Sequence, residues 1–64
     1  MNKFYFEIRR KDNGNVVETF PSEVKAMGWF QRQYPYSFST ALQVGEYDLY
    51  RVEFGTSKET KIVP

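Results

Sequence analysis

From Lys3 to Arg9 apolar and polar residues alternate, with Phe4, Phe6 and Ile8 on one side and Lys3, Tyr5, Glu7 and Arg9 on the other. That spacing predicts a half-buried β-strand. Lys11-Asp12-Asn13-Gly14-Asn15 follows. Asn and Gly tolerate the positive φ of tight turns, so a hairpin is expected, with loops of two or three residues both suiting the sequence. Val16-Val17-Glu18-Thr19-Phe20 reads as the returning strand, its β-branched residues fitting a pleated surface.

Pro21 breaks that strand, and Ser22 is placed to cap a helix through its hydroxyl. Glu23 suits the positive end of the helix dipole. Ala26, Met27, Phe30 and Tyr34 then recur at helical spacing, with Lys25, Gly28 and Arg32 opposite and Trp29 at the margin. Pro35 ends the helix, because the residue before proline is pushed from the α region. Residues 36–45 fit two descriptions, a short helical turn capped by Ser39 or an irregular extended segment.

Tyr47 to Phe54 predicts a third strand, with Tyr50, Val52 and Phe54 on one face and Leu49, Arg51 and Glu53 on the other. Gly55 to Glu59 reads as a turn and Thr60-Lys61-Ile62-Val63 as a closing strand, which Pro64 would stop. The expected fold class is α+β. It is a small two-layer domain spanning residues 1–64, an antiparallel sheet of about four strands in the order ββαββ with one helix packed on one face.

Composition explains how so short a chain makes a core. A chain of 64 residues buries only ~60% of the surface exposed on unfolding. It has no cysteine to form a disulfide, and neither cysteine nor histidine to hold a metal. Five tyrosines, six phenylalanines and one tryptophan must supply the packing, each burying about 150–250 Å². Nine basic residues against eight acidic ones give a net charge of +1, which by itself implies no nucleic-acid partner and argues against an acidic DNA mimic. Met1 to Ile8 has no leader-like apolar run, and no segment approaches the ~20 apolar residues that cross a bilayer. A soluble, cytoplasmic protein without membrane association is expected.

Catalytic chemistry is not visible. Ser22, Ser37, Ser39 and Ser57 have no histidine to activate them. Glu46, Asp48 and Glu53 read as solvated surface charge beside Arg51 rather than acid–base pairs. The glycines form neither a G-x-G-x-x-G nor a P-loop pattern, and Asp12-Asn13-Gly14-Asn15 lacks the later glutamate of a calcium loop. No cofactor or metal, and no enzyme activity, is expected.

Three features suit binding. Arg9-Arg10-Lys11 at the hairpin tip would contact phosphates, or would be a solubilising turn in which Arg9 or Arg10 pairs across the strand with Glu18. Trp29, Tyr34, Tyr36, Phe38 and Tyr47 form an aromatic cluster flanked by Arg32 and Arg51, which suits a protein interface or base stacking, unless residues 36–44 fold back and bury it. The outer sheet face is expected to carry Tyr5, Glu7, Arg9, Leu49, Arg51 and Glu53, with Tyr5 and Leu49 as contacts for a dimer or partner, and an exposed strand edge offers another route to pairing.

Val44-Gly45-Glu46-Tyr47-Asp48-Leu49-Tyr50-Arg51-Val52, followed by Phe54 and Thr60-Lys61-Ile62, resembles the C-terminal part of small nonstructural proteins of microvirus-type single-stranded DNA phages. That group carries a similar Tyr-x-Leu-Tyr strand, an acidic glycine-containing turn and a closing strand; Thr56-Ser57-Lys58-Glu59 departs from that turn. The resemblance implies a phage-type accessory protein that binds a host protein or nucleic acid, and it assigns no residue a role.

The leading expectation is a non-catalytic protein-binding module, an inhibitor or regulator of a host protein, contacting its partner through Trp29, Arg32, Tyr34, Tyr36 and Phe38. The alternatives are a single-stranded nucleic-acid binder using Arg9, Arg10, Lys11 and Arg51 with the same aromatics, and a small structural homodimer.

Overall fold

The computed structural model describes residues 3–63. Its elements are β1 (Phe4–Arg10), β2 (Val16–Phe20), α1 (Glu23–Gln33), α2 (Phe38–Val44), β3 (Tyr47–Glu53) and β4 (Glu59–Ile62). The strands form one antiparallel sheet in the order β2-β1-β3-β4, so the two central strands come from opposite halves of the chain. The mixed α+β class is as the sequence predicts, with one difference: the segment left open between helix and extended chain is a helix, so two helices cover the sheet. Pro64, read as the stop of the last strand, lies outside the described residues.

Both helices start where a serine can cap them. The Ser22 hydroxyl accepts the Lys25 N–H, and the Ser37 hydroxyl accepts that of Thr40. The second cap is Ser37 rather than Ser39, which places Ala41 and Leu42 against the sheet. α1 closes at Tyr34, whose backbone N–H reaches the Phe30 carbonyl just before Pro35.

The core lies between the helices and one sheet face. Phe6, Ile8 and Leu49 from the strands meet Ala26 and Phe30 of α1 and Ala41 and Leu42 of α2. Phe30, Ile8 and Leu49 are the largest fully buried side chains. The register explains the position of Leu49. It pairs with Ile8, and partners in an antiparallel ladder share a face. The expected outer face is therefore corrected. Leu49, Arg51 and Glu53 lie on the helix side with Phe4, Phe6 and Ile8, and Leu49 is unavailable to any partner. The outer face carries Tyr5, Glu7 and Arg9 opposite Val52, Tyr50 and Asp48.

That outer face is not simply wet. Val52 is only 3% exposed. The Tyr5 and Phe54 rings lie 5.1 Å apart, and the Arg9 guanidinium sits 4.1 Å from the centre of the Tyr50 ring. Flat side chains thus shelter the outer face without a second layer of backbone.

The two hairpins close with the same pair of backbone hydrogen bonds. In the first, Gly14 N–H bonds to Arg10 O and Arg10 N–H to Asn15 O; in the second, Ser57 N–H bonds to Glu53 O and Glu53 N–H to Lys58 O. Each loop therefore holds four residues, more than either length the sequence suggested. Gly14 and Ser57 occupy the same place, with φ of 74° and 58°. Left-handed backbone suits glycine and strains serine. Ser57→Gly should therefore raise stability by about 0.5–1 kcal/mol, seen as a higher midpoint in thermal denaturation. An unchanged or lower midpoint would show that the strain at Ser57 is no larger than the extra backbone entropy glycine loses on folding.

Candidate protein-binding surface

The aromatic residues between α1 and α2 form a connected stack built outward from Phe30. Trp29 meets Phe30 at 5.3 Å and Tyr47 at 5.0 Å, both edge-on. Phe38 meets Phe30 edge-on at 5.6 Å. Tyr34 lies nearly parallel to Phe30 at 6.5 Å, and Tyr36 nearly parallel to Tyr34 at 6.3 Å. Burial falls along this series: Phe30 is fully enclosed, Trp29, Tyr34 and Phe38 are half-buried, and Tyr36 is 48% exposed.

Tyr34 is the hinge of the arrangement. Its hydroxyl accepts the Glu46 N–H at 3.0 Å, and its ring lies against Gly45. A Cβ at Gly45 would stand 2.5 Å from the Ala41 carbonyl and 2.8 Å from the Tyr34 ring, so glycine is required there for space. The chain from Phe38 to Val44 does fold back, as one sequence reading held, but it covers the cluster only in part. Tyr36 and Arg32 remain exposed at the C-terminal end of α1. Arg32 lies back along the helix over Gly28, where a Cβ would come 3.5 Å from its guanidinium. Val24, one further helical turn back along the same side, is 77% exposed. One side of α1 thus presents Val24, Gly28 and Arg32. Val24 carries no sequence signal of its own, because an apolar residue in a first helical turn is ordinary.

The cations assigned to a nucleic-acid surface do not form one patch: Arg10 and Lys11 line a pocket with Asp12, Gly45 and Glu46, while Arg9 and Arg51 lie on opposite faces of the sheet. Arg9, on the outer face, bonds Glu7 and Glu59, its guanidinium reaching Glu59 at 2.8 Å. Its hydrogen bond to Glu59 and then those to Glu7 hold the guanidinium more firmly protonated than usual, and Arg9 in turn lowers the Glu59 carboxyl. Arg10 pairs with Asp12 in the turn at 2.9 Å, lowering that carboxyl. Neither arginine makes the pairing with Glu18 that the sequence suggested. Lys11 donates to the Leu42 and Gln43 carbonyls, so its ammonium caps the C-terminal end of α2. Arg51 lies over the Phe4 ring at 4.5 Å, on the helix side of the sheet. Neighbours in a strand point to opposite faces, and this pleat separates the basic run.

Among the described residues no group of three or more acidic side chains is close enough to hold a metal ion, and no helix is long and apolar enough to cross a membrane. These features define a small α+β protein in which an aromatic stack runs from the buried Phe30 to the exposed Tyr36. No family model, curated protein or solved structure matches the chain.

Proposed function

We propose that this protein is a non-catalytic protein-binding module that docks through Tyr36 and Arg32, supported by the exposed rims of Trp29, Tyr34 and Phe38. In the cell it acts as a phage-type inhibitor or regulator of a host protein in the cytoplasm. The observation that carries this reading is the state of Tyr36. Its ring is half exposed, yet it stacks on Tyr34 at an interplanar angle of 15°, and Tyr34 is itself tied to Glu46. A held, exposed aromatic loses little conformational entropy on binding, the property of an interface anchor. Arg32, exposed in the last turn of α1 with its guanidinium lying back over Gly28, supplies a donor fork of the kind enriched at such contacts. The mechanism is steric: the ring fills a pocket and the arginine fixes orientation.

The test is affinity capture from host lysate with immobilised wild-type protein and with Tyr36→Ala and Arg32→Glu. Removing the anchor should weaken retention by about 30-fold, corresponding to ~2 kcal/mol for a central aromatic. Variants that retain the same proteins equally would sink the assignment of this surface. Anisotropy titration with labelled single-stranded DNA and RNA decides the rival reading. Binding that falls steeply with salt would replace a protein partner with nucleic acid.

A further inference from the structure

We propose that β4 is a homodimer edge, at which two copies join antiparallel about Thr60 to make one continuous sheet. β4 is the outer strand beyond β3, and Glu59, Thr60 and Lys61 are exposed. The ladder fixes which backbone groups are free. Glu53 N–H bonds to Lys58 O, and the register runs without a break through Val52–Glu59, Arg51–Thr60, Tyr50–Lys61 and Leu49–Ile62. Hydrogen-bonded pairs alternate along such a ladder, so Thr60 and Ile62 direct their N–H and C=O groups to β3. Glu59 and Lys61 direct theirs to the open edge.

A two-fold axis at Thr60 sets Glu59 of each copy opposite Lys61 of the other, with both backbone bonds of each pair formed. Glu59 and Lys61 share the outer face, so their side chains meet as opposite charges. Moving the axis to Glu59 or Lys61 sets like charges against each other instead. The sequence Glu-Thr-Lys is thus self-complementary in one symmetric register. The contact also extends charges already in place, since Glu59 pairs with Arg9 and Lys61 lies 3.6 Å from Asp48. The opposite edge lacks this property. β2 is interrupted where its register with β1 shifts, leaving Val17 as a bulge that disrupts a template for pairing.

A contact between strands this short falls below the ~1,200 Å² of tight complexes, so association is expected between about 10 μM and about 1 mM. Sedimentation velocity across that range should show the mass rising from 7.6 kDa towards twice that value. Glu59→Lys alone and Lys61→Glu alone should each stay monomeric. Mixed in equal amounts, those two variants should associate with each other, and the double reversal should dimerise like wild type. Lys61→Pro removes an edge-facing N–H without touching the β3 ladder and should also be monomeric, which serves if a charge reversal fails to fold. A wild-type protein that stays monomeric at the highest concentration would overturn the proposal. So would single reversals that dimerise unchanged, since another surface would then be responsible.

Discussion

Phe30→Ala is expected to abolish cooperative unfolding at 25 °C. Phe30 is fully buried and is the common neighbour of Trp29, Tyr34 and Phe38. Truncating a buried phenylalanine costs about 3–5 kcal/mol, part transfer free energy and part cavity. A core in a chain this short rarely supplies more than ~3–5 kcal/mol in total, and no disulfide reinforces this one. The loss therefore equals the reserve. Trp29 is the sole tryptophan and packs on the lost ring, so its emission reports the outcome directly in a urea titration. A sigmoidal transition with a midpoint near that of wild type would show that the cluster closes over the gap and that Phe30 is not the keystone.

Leu49→Ala separates the two possible faces of β3. With Leu49 fully buried against Ile8 and the helices, the substitution should cost about 2–5 kcal/mol, read as a lower urea midpoint at unchanged slope. On a solvated outer face the same change would fall within about 0.5 kcal/mol of wild type. A near-neutral result would return Leu49 to the outside and reverse the strand.

That error in reading β3 has a physical origin. Period two assigns the larger apolar set inward, and Tyr50, Val52 and Phe54 outweigh Leu49. The rule assumes that one face is wet. Here Val52 is buried on the outer face beneath neighbouring side chains, so apolar burial occurs at positions of opposite parity in one strand. Only the pairing of Leu49 with Ile8 settles the matter, and that is a long-range fact. The first hairpin and α1 were legible because their signals are local: Asn13-Gly14, Ser22 as cap and Pro35 as stop. α2 was not, since seven residues offer less than two turns of periodicity and two serines compete to begin it. At the candidate surface the residue types were legible, and their exposure was not. Helical spacing sets Tyr34 on the apolar stripe and Tyr36 beyond Pro35, but nothing along the chain shows that Gly45 receives the first ring while the second stands half exposed.

The sheet order has a consequence for how the molecule holds together. The N-terminal half contributes one hairpin and one helix, the C-terminal half contributes another of each, and the halves meet along the β1–β3 seam. Hairpins alone are marginal in water, and each half carries only part of the shared core. The chain is therefore organised like a heterodimer whose subunits are tethered between α1 and α2. The closure that brings Phe4 beside Glu53 spans most of the chain and is expected to be its slowest assembly step, and cutting the tether would turn folding into a bimolecular reaction.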